Sequence, residues 1–144
     1  MPSDNVAVIV EWIERVWNRK EPGAIAEFLT DETIAHGMGP NGTTLVGIEP
    51  FAQAHALFCE AFPDIHVTVD VMVAEGDKVA TSLTCRATHK GDALGVAATG
   101  QVVEFRAMTI ARIKDGKVIE GWNILDLMSV FQQIGAMRVS EALP

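Results

Sequence analysis

Seven side chains in this sequence could carry out proton or nucleophile chemistry, and their surroundings separate them. Asp126 shares a strand face with Trp122 and Ile124, because side chains two apart in a strand point the same way. A carboxylate beside an indole in an apolar interior is poorly solvated. Its pKa rises, which makes it a better base near neutral pH. Asp126 also precedes a helical stretch, so it could equally be that helix's N-cap. His89 ends a strand on the face of Leu83, Cys85 and Ala87, where an imidazole could polarise a carbonyl, hold a base or bond the following loop. His36 opens a glycine-rich loop and reads either as a site residue or as a loop histidine bonded to backbone. His55 lies on an apolar helical stripe and reads as core or interface. His66 alternates with valines and reads as structural, paired with Thr68 or Asp70. Cys59 and Cys85 have no metal-ligand spacing and read as reduced, buried, small hydrophobes.

Several chemistries are disfavoured by what is missing. The histidines are far apart, with no His-x-x-x-His pair, so no metal site is expected. There is no Gly-x-Ser-x-Gly turn, and neither cysteine is a sequence neighbour of a histidine. Tyrosine is absent altogether, which removes the phenol that a steroid-isomerase mechanism would use as its oxyanion donor. The Gly37–Gly47 loop matches no phosphate-cradling pattern. The Asp-Arg-Asp pattern associated with epoxide opening is not present as a local motif.

The elements that must position these groups follow from periodicity. Val6, Ile9, Val10, Ile13, Val16 and Trp17 recur at helical spacing, which predicts a helix over 4–20 with Ser3 as its cap. A short helix is expected over 24–29, and a third over 48–60 with Pro50 in its first turn. Beyond Phe62-Pro63-Asp64 the period changes to two. Strands are expected over 65–73, 78–89, 101–113 and 118–124, the last two joined by an Asp115-Gly116 hairpin turn. A final helix over 126–134 stops at Gly135. Helices, then four antiparallel strands, then a helix define an α+β fold. Its N-terminal helices pack on one face of a curved antiparallel sheet and leave a cone-shaped pocket. Trp122, Phe105, Met108, Met128 and Trp17 are the candidate pocket lining, a set of side chains suited to flat polycyclic ligands.

The chain has 144 residues, 49% of them hydrophobic, and a formal charge of −8. That length fits one ordinary domain, residues 1–144. The acidic balance argues against nucleic acid as a partner, and no run of about 18 apolar residues suggests a membrane span. The N-terminus lacks a basic region followed by an apolar run, so a cytoplasmic location is the expectation.

Three segments, "AFPDIHVTVDVMVAEGDKVA", "RATHKGDALGVAATGQVVEF" and "IARIKDGKVIEGWNILDLMSVFQQIG", resemble the SnoaL-like polyketide cyclase family, and "VWNRKEPGAIAEFLTDETIAHG" extends the resemblance over nearly the whole chain. The resemblance implies a nuclear transport factor 2-like α+β cone, usually a homodimer or homotetramer, and an enzyme without cofactor or metal. It implies an intramolecular aldol cyclisation in which an aspartate, carried onto Asp126, takes a proton from a polyketide methyl ester and returns one. It sets His89 in a Thr88-His89-Lys90-Gly91 motif and places His36 near the pocket rim. Relatives often read Glu-His-Trp where this chain reads Glu120-Gly121-Trp122, so one imidazole is missing. The sequence thus leads to cofactor-free acid–base chemistry on a small apolar or polycyclic carbonyl compound. Its alternatives are a ligand-binding module without chemistry and epoxide hydrolysis.

Overall fold

A computed structural model describes residues 2–137 of the chain, with side chains from Asp4 onward. Helix α1 (Pro2–Trp12) continues into a π-helical turn, Ile13–Asn18. A 3₁₀ turn (Pro22–Ala24) leads into the single turn of α2 (Ile25–Phe28). Strands β1 (Ile34–His36) and β2 (Leu45–Val46) flank the glycine-rich loop, and α3 (Ile48–Ala61) follows. Then come β3 (His66–Glu75), β4 (Lys78–Thr88), β5 (Val102–Lys114), β6 (Lys117–Leu125) and α4 (Leu127–Gln133). No helix among the described residues is long and apolar enough to cross a membrane.

The α+β architecture expected from the sequence is the one observed, but the sheet is larger. Six strands run in the order β2-β1-β6-β5-β4-β3, and β1 lies parallel to β6. Two or three residues in a glycine-rich stretch are too few to show a period of two, so β1 and β2 left no pattern to read. The first helix also differs. It changes to π geometry at Ile13, which turns the Val16 carbonyl toward α3, where His55 Nε2–H donates to it at 2.7 Å. His55 is therefore a buried core histidine, as its place on the apolar stripe suggested, and burial pushes its pKa down. Val10, expected inside, is exposed, and Trp12 takes the inward position. The helix begins at Pro2, and the Ser3 side chain lies outside the described residues.

Two β-bulges decide which face each side chain occupies. In β3, Val69 pairs with Leu83 and Val71 with Ser82, so Asp70 is an extra residue. Thr84 Oγ1–H donates to its carboxylate at 2.6 Å. One inserted residue exchanges the faces beyond it. Val67 is thus buried, whereas Val71 and Val73 are exposed and Met72 and Ala74 turn inward. In β6, Arg112 pairs with Glu120 but Ile113 with Val118, which leaves Ile119 as the extra residue. Val118 faces the core, and after the bulge so do Gly121, Asn123 and Leu125. Trp122, Ile124 and Asp126 are carried to the outer face.

Candidate active site

The helices and the inner face of the sheet enclose a cavity of about 110 Å³. This is well above the roughly 10–15 Å³ that one water needs. Its walls include Trp12 and Trp17 from the first helix, Phe51 and Phe58 from α3, and Leu83 and Phe105 from the sheet. Trp17 packs edge-on against His55, with centroids 4.8 Å apart, so the wall is held by aromatic contacts. Met38, Phe58, Asn123 and Leu125 also line a wider vestibule of about 670 Å³ between the glycine-rich loop, α3, the Ala93-Leu94 segment and α4. The cavity therefore opens through this neck to the outside.

Few polar atoms border the cavity. The Thr33 hydroxyl is engaged, donating to the Val118 carbonyl at 2.6 Å. The Cys85 thiol is pushed up to about 12 by burial, so it stays protonated and is not a nucleophile. Thr109 and Asn123 remain. Asn123 Nδ2–H donates to the His36 carbonyl at 2.9 Å, which fixes the amide at the neck. Neither residue was singled out from the sequence, although a signal existed. In β5 the outward set Glu104, Arg106 and Arg112 is charged, so the odd-numbered residues, Thr109 among them, must face the core.

Thr81, next to Thr109 across β4 and β5, is 2% exposed, and its hydroxyl has no hydrogen-bond partner among the described residues. A buried hydroxyl left unpaired costs about 1–3 kcal/mol. Thr81→Val removes it at nearly constant volume. Thermal unfolding of that variant is expected about 2–4 °C above wild type, for a gain of about 1 kcal/mol. An unchanged or lower midpoint would show that the hydroxyl is satisfied in solution.

The residues chosen from the sequence are not brought together. Phe105 and Trp17 line the cavity as expected. Met108 and Trp122 do not, because Met108 alternates with the inward set of β5 and the Ile119 bulge turns Trp122 outward. Met128 is on the exposed side of α4. Asp126 does not project into the apolar interior either. It is exposed and caps α4, its Oδ1 accepting the Ser129 N–H at 3.1 Å. Its neighbours Leu125 and Leu127 line the vestibule, but Asp126 itself lines neither hollow.

The two histidines lie elsewhere. His89 is fully buried and borders neither hollow. Its Nδ1 accepts the Thr99 backbone N–H at 3.3 Å, so Nε2 carries the proton, and that N–H has no partner among the described residues. The ring thus secures the loop that contains Thr99, the last of the roles open to it from sequence. His36 turns outward, stacks on Trp122 with centroids 5.6 Å apart, and bonds Glu120 through Nε2 at 2.7 Å. Arg112 holds the other oxygen of Glu120. The hydrogen bond from His36, joined by that from Arg112, keeps the Glu120 carboxyl below the usual carboxylate range.

No Asp, Glu, His, Lys or Arg side chain among the described residues lines either hollow. That leaves no carboxylate–arginine pair facing a ligand there, which removes the support for epoxide opening. Nor do three His, Cys, Asp or Glu side chains converge anywhere among the described residues.

Helices on one face of a curved six-stranded sheet, with an apolar hollow between them, define the nuclear transport factor 2-like fold. AclR from Streptomyces galilaeus shares it at a TM-score of 0.85, with 24% identity over 99% of this chain and 92% of that one. A SnoaL-like protein from Jannaschia sp. CCS1 superposes at a TM-score of 0.84, with 26% identity and 95% of both chains covered. The chain belongs to the SnoaL-like polyketide cyclase family, whose model matches residues 7–134. Aklanonic acid methyl ester cyclase DauD from Streptomyces sp. strain C5 is 26% identical over 128 residues, 88% of this chain and 80% of DauD.

Proposed function

We propose that the protein takes a small apolar carbonyl compound of polyketide type into the cavity and acts on it as a cyclase without a cofactor. The observation that carries this reading is the cavity itself: aromatic and aliphatic walls, two neutral polar groups, and one neck that opens to a vestibule. Such walls fold a flexible carbonyl chain and exclude water from it, which brings its reacting carbons together. With only neutral polar groups on the walls, the proton has to be taken by a group outside the lining, and Asp126, whose chain neighbours Leu125 and Leu127 line the vestibule, is the group proposed for it. The resemblance to polyketide methyl ester cyclases, including DauD, supports the substrate class.

A second reading, that the ligand is held without chemistry, is favoured by the lack of any acid or base on either wall among the described residues. A homodimer or homotetramer is part of the proposal. Val71, Val73, Met108, Ile110 and Ile124 leave an exposed apolar area on the outer sheet face that a second copy would cover.

Ligand entry is tested by tryptophan emission. The chain has three tryptophans, of which Trp12 and Trp17 line the cavity and Trp122 lies outside it. Titration with 2-methylanthraquinone is expected to quench the wild-type protein. The quenching should be lost in a Trp12→Phe, Trp17→Phe double variant, in which Trp122 alone emits. Quenching that persists there would put the compound on the outer face and overturn the reading.

A further inference from the structure

One line of polar side chains crosses the otherwise apolar inner face of the sheet. Thr81 of β4 pairs in register with Thr109 of β5, and Thr109 with Asn123 of β6. Side chains directly opposite on adjacent strands lie roughly 4.5–5.5 Å apart, so the three form one row. The buried end, Thr81, has a hydroxyl with no partner among the described residues. Thr109 and Asn123 border the cavity, and no protein donor or acceptor among the described residues meets the Thr109 hydroxyl or Asn123 Oδ1.

The direction of the Asn123 amide is set by its one protein contact. A backbone carbonyl can only accept, so the group facing the His36 oxygen is Nδ2, and Oδ1 points away from it. A ligand carbonyl brought to Oδ1 would set acceptor against acceptor. A ligand hydroxyl is matched, since it donates to Oδ1 and accepts from the neighbouring Thr109 hydroxyl. Polar groups in so apolar a wall discriminate strongly, because an analogue that lacks the hydroxyl leaves them unpaired.

We infer that the Thr109–Asn123 end of this row reads a hydroxyl on the ligand, a phenol or an enol, and so selects the hydroxylated member of a family of carbonyl compounds. This rests on the proposal that the cavity holds an apolar ligand, and it adds which functional group lies at the neck.

Calorimetric titration with three naphthalenes of similar size tests it. 2-Naphthol carries a donor, 2-methoxynaphthalene only an acceptor, and 2-methylnaphthalene neither. The measured quantity is the ratio of Kd for 2-methylnaphthalene to Kd for 2-naphthol, compared between wild type and variants so that the intrinsic difference in hydrophobicity cancels. That ratio is expected to fall about tenfold in Thr109→Val and in Asn123→Leu, and 2-methoxynaphthalene should show no such dependence on either variant. Thr109→Val keeps the side-chain shape, so it decides the matter if Asn123→Leu does not fold. A ratio within about twofold of wild type in the folded variants would sink the hydroxyl inference while leaving ligand binding intact. A methoxy compound as sensitive to both variants as the naphthol would show the row acting as a donor, and sinks it equally. If none of the three binds, the proposal of an apolar ligand fails, and the inference fails with it.

Discussion

Gly37→Ala is expected to lower stability by about 2–5 kcal/mol, the sum of two separate costs. Gly37 sits at a φ of +83°, in the left-handed region, where a side chain costs roughly 1–2 kcal/mol. A Cβ at this position would also overlap the backbone carbonyl oxygen of Asn123, and such overpacking costs about 1–3 kcal/mol. β1 can approach β6 only because no side chain stands between them, and this approach lets the His36 carbonyl accept from the Asn123 amide. Gly42→Ala is the control. Gly42 also has a positive φ, +73°, but its Cβ would meet nothing within 4 Å, so only the conformational cost applies. Urea unfolding of the two variants should therefore rank Gly37→Ala clearly below Gly42→Ala. Equal midpoints would mean that β1 moves away without penalty and that the neck is not rigidly built.

This crowding bears on what could be read in the sequence. The helix faces and the period of the long strands were legible, and so was the α+β fold they build. The identity of the inward face was not legible beyond Ile119. The two-residue Asp115-Gly116 turn pairs Ile113 with Val118, and without a bulge the even-numbered residues of β6 would all face inward. That arrangement puts Trp122, Ile124 and Asp126 in the core, which is what a plain alternation predicts. One unpaired residue reverses it and delivers Gly121, Asn123 and Leu125 instead. Both sets contain apolar residues, so composition could not choose between them. The same holds in β3, where Asp70 interrupts four alternating valines and turns Val71 and Val73 to the surface.

In β5 the information was present. Phe105 and Met108 are three apart and cannot share a strand face, and the charged neighbours Glu104 and Arg106 mark Met108 as the outward one. Gly121 acquires a physical meaning from this register. The resemblance to the family puts a histidine at this position in many relatives. Here the position faces the cavity, and a Cβ would sit 3.6 Å from Asn123 Nδ2, an ordinary contact. The backbone thus has room for a side chain that this chain does without. The cavity gains space and keeps the amide of Asn123 as the polar group at its neck.

Asp126→Asn is expected to reduce cyclase-type turnover by about 10²–10⁴-fold, the usual contribution of a positioned proton acceptor. Aklanonic acid methyl ester, the compound for which the similar cyclase DauD is named, is the substrate to use first. The variant is chosen because the proposed proton transfer by Asp126 is separable from its observed role as a helix cap. Its Oδ1 caps α4 by accepting from Ser129 N–H, and an asparagine carbonyl does this equally well. Stability should then stay within about 0.5 kcal/mol of wild type, whereas Asp126→Ala should cost about 0.5–2 kcal/mol. Loss of turnover with unchanged unfolding separates the site chemistry from the cap, because the substitution removes the carboxylate's charge and basicity but keeps the capping oxygen. Turnover near the wild-type rate in Asp126→Asn would reduce this carboxylate to a helix cap. The ligand would still be held by walls that contain no base of their own, and the protein would be a binder whose site stops at the hydroxyl-reading row.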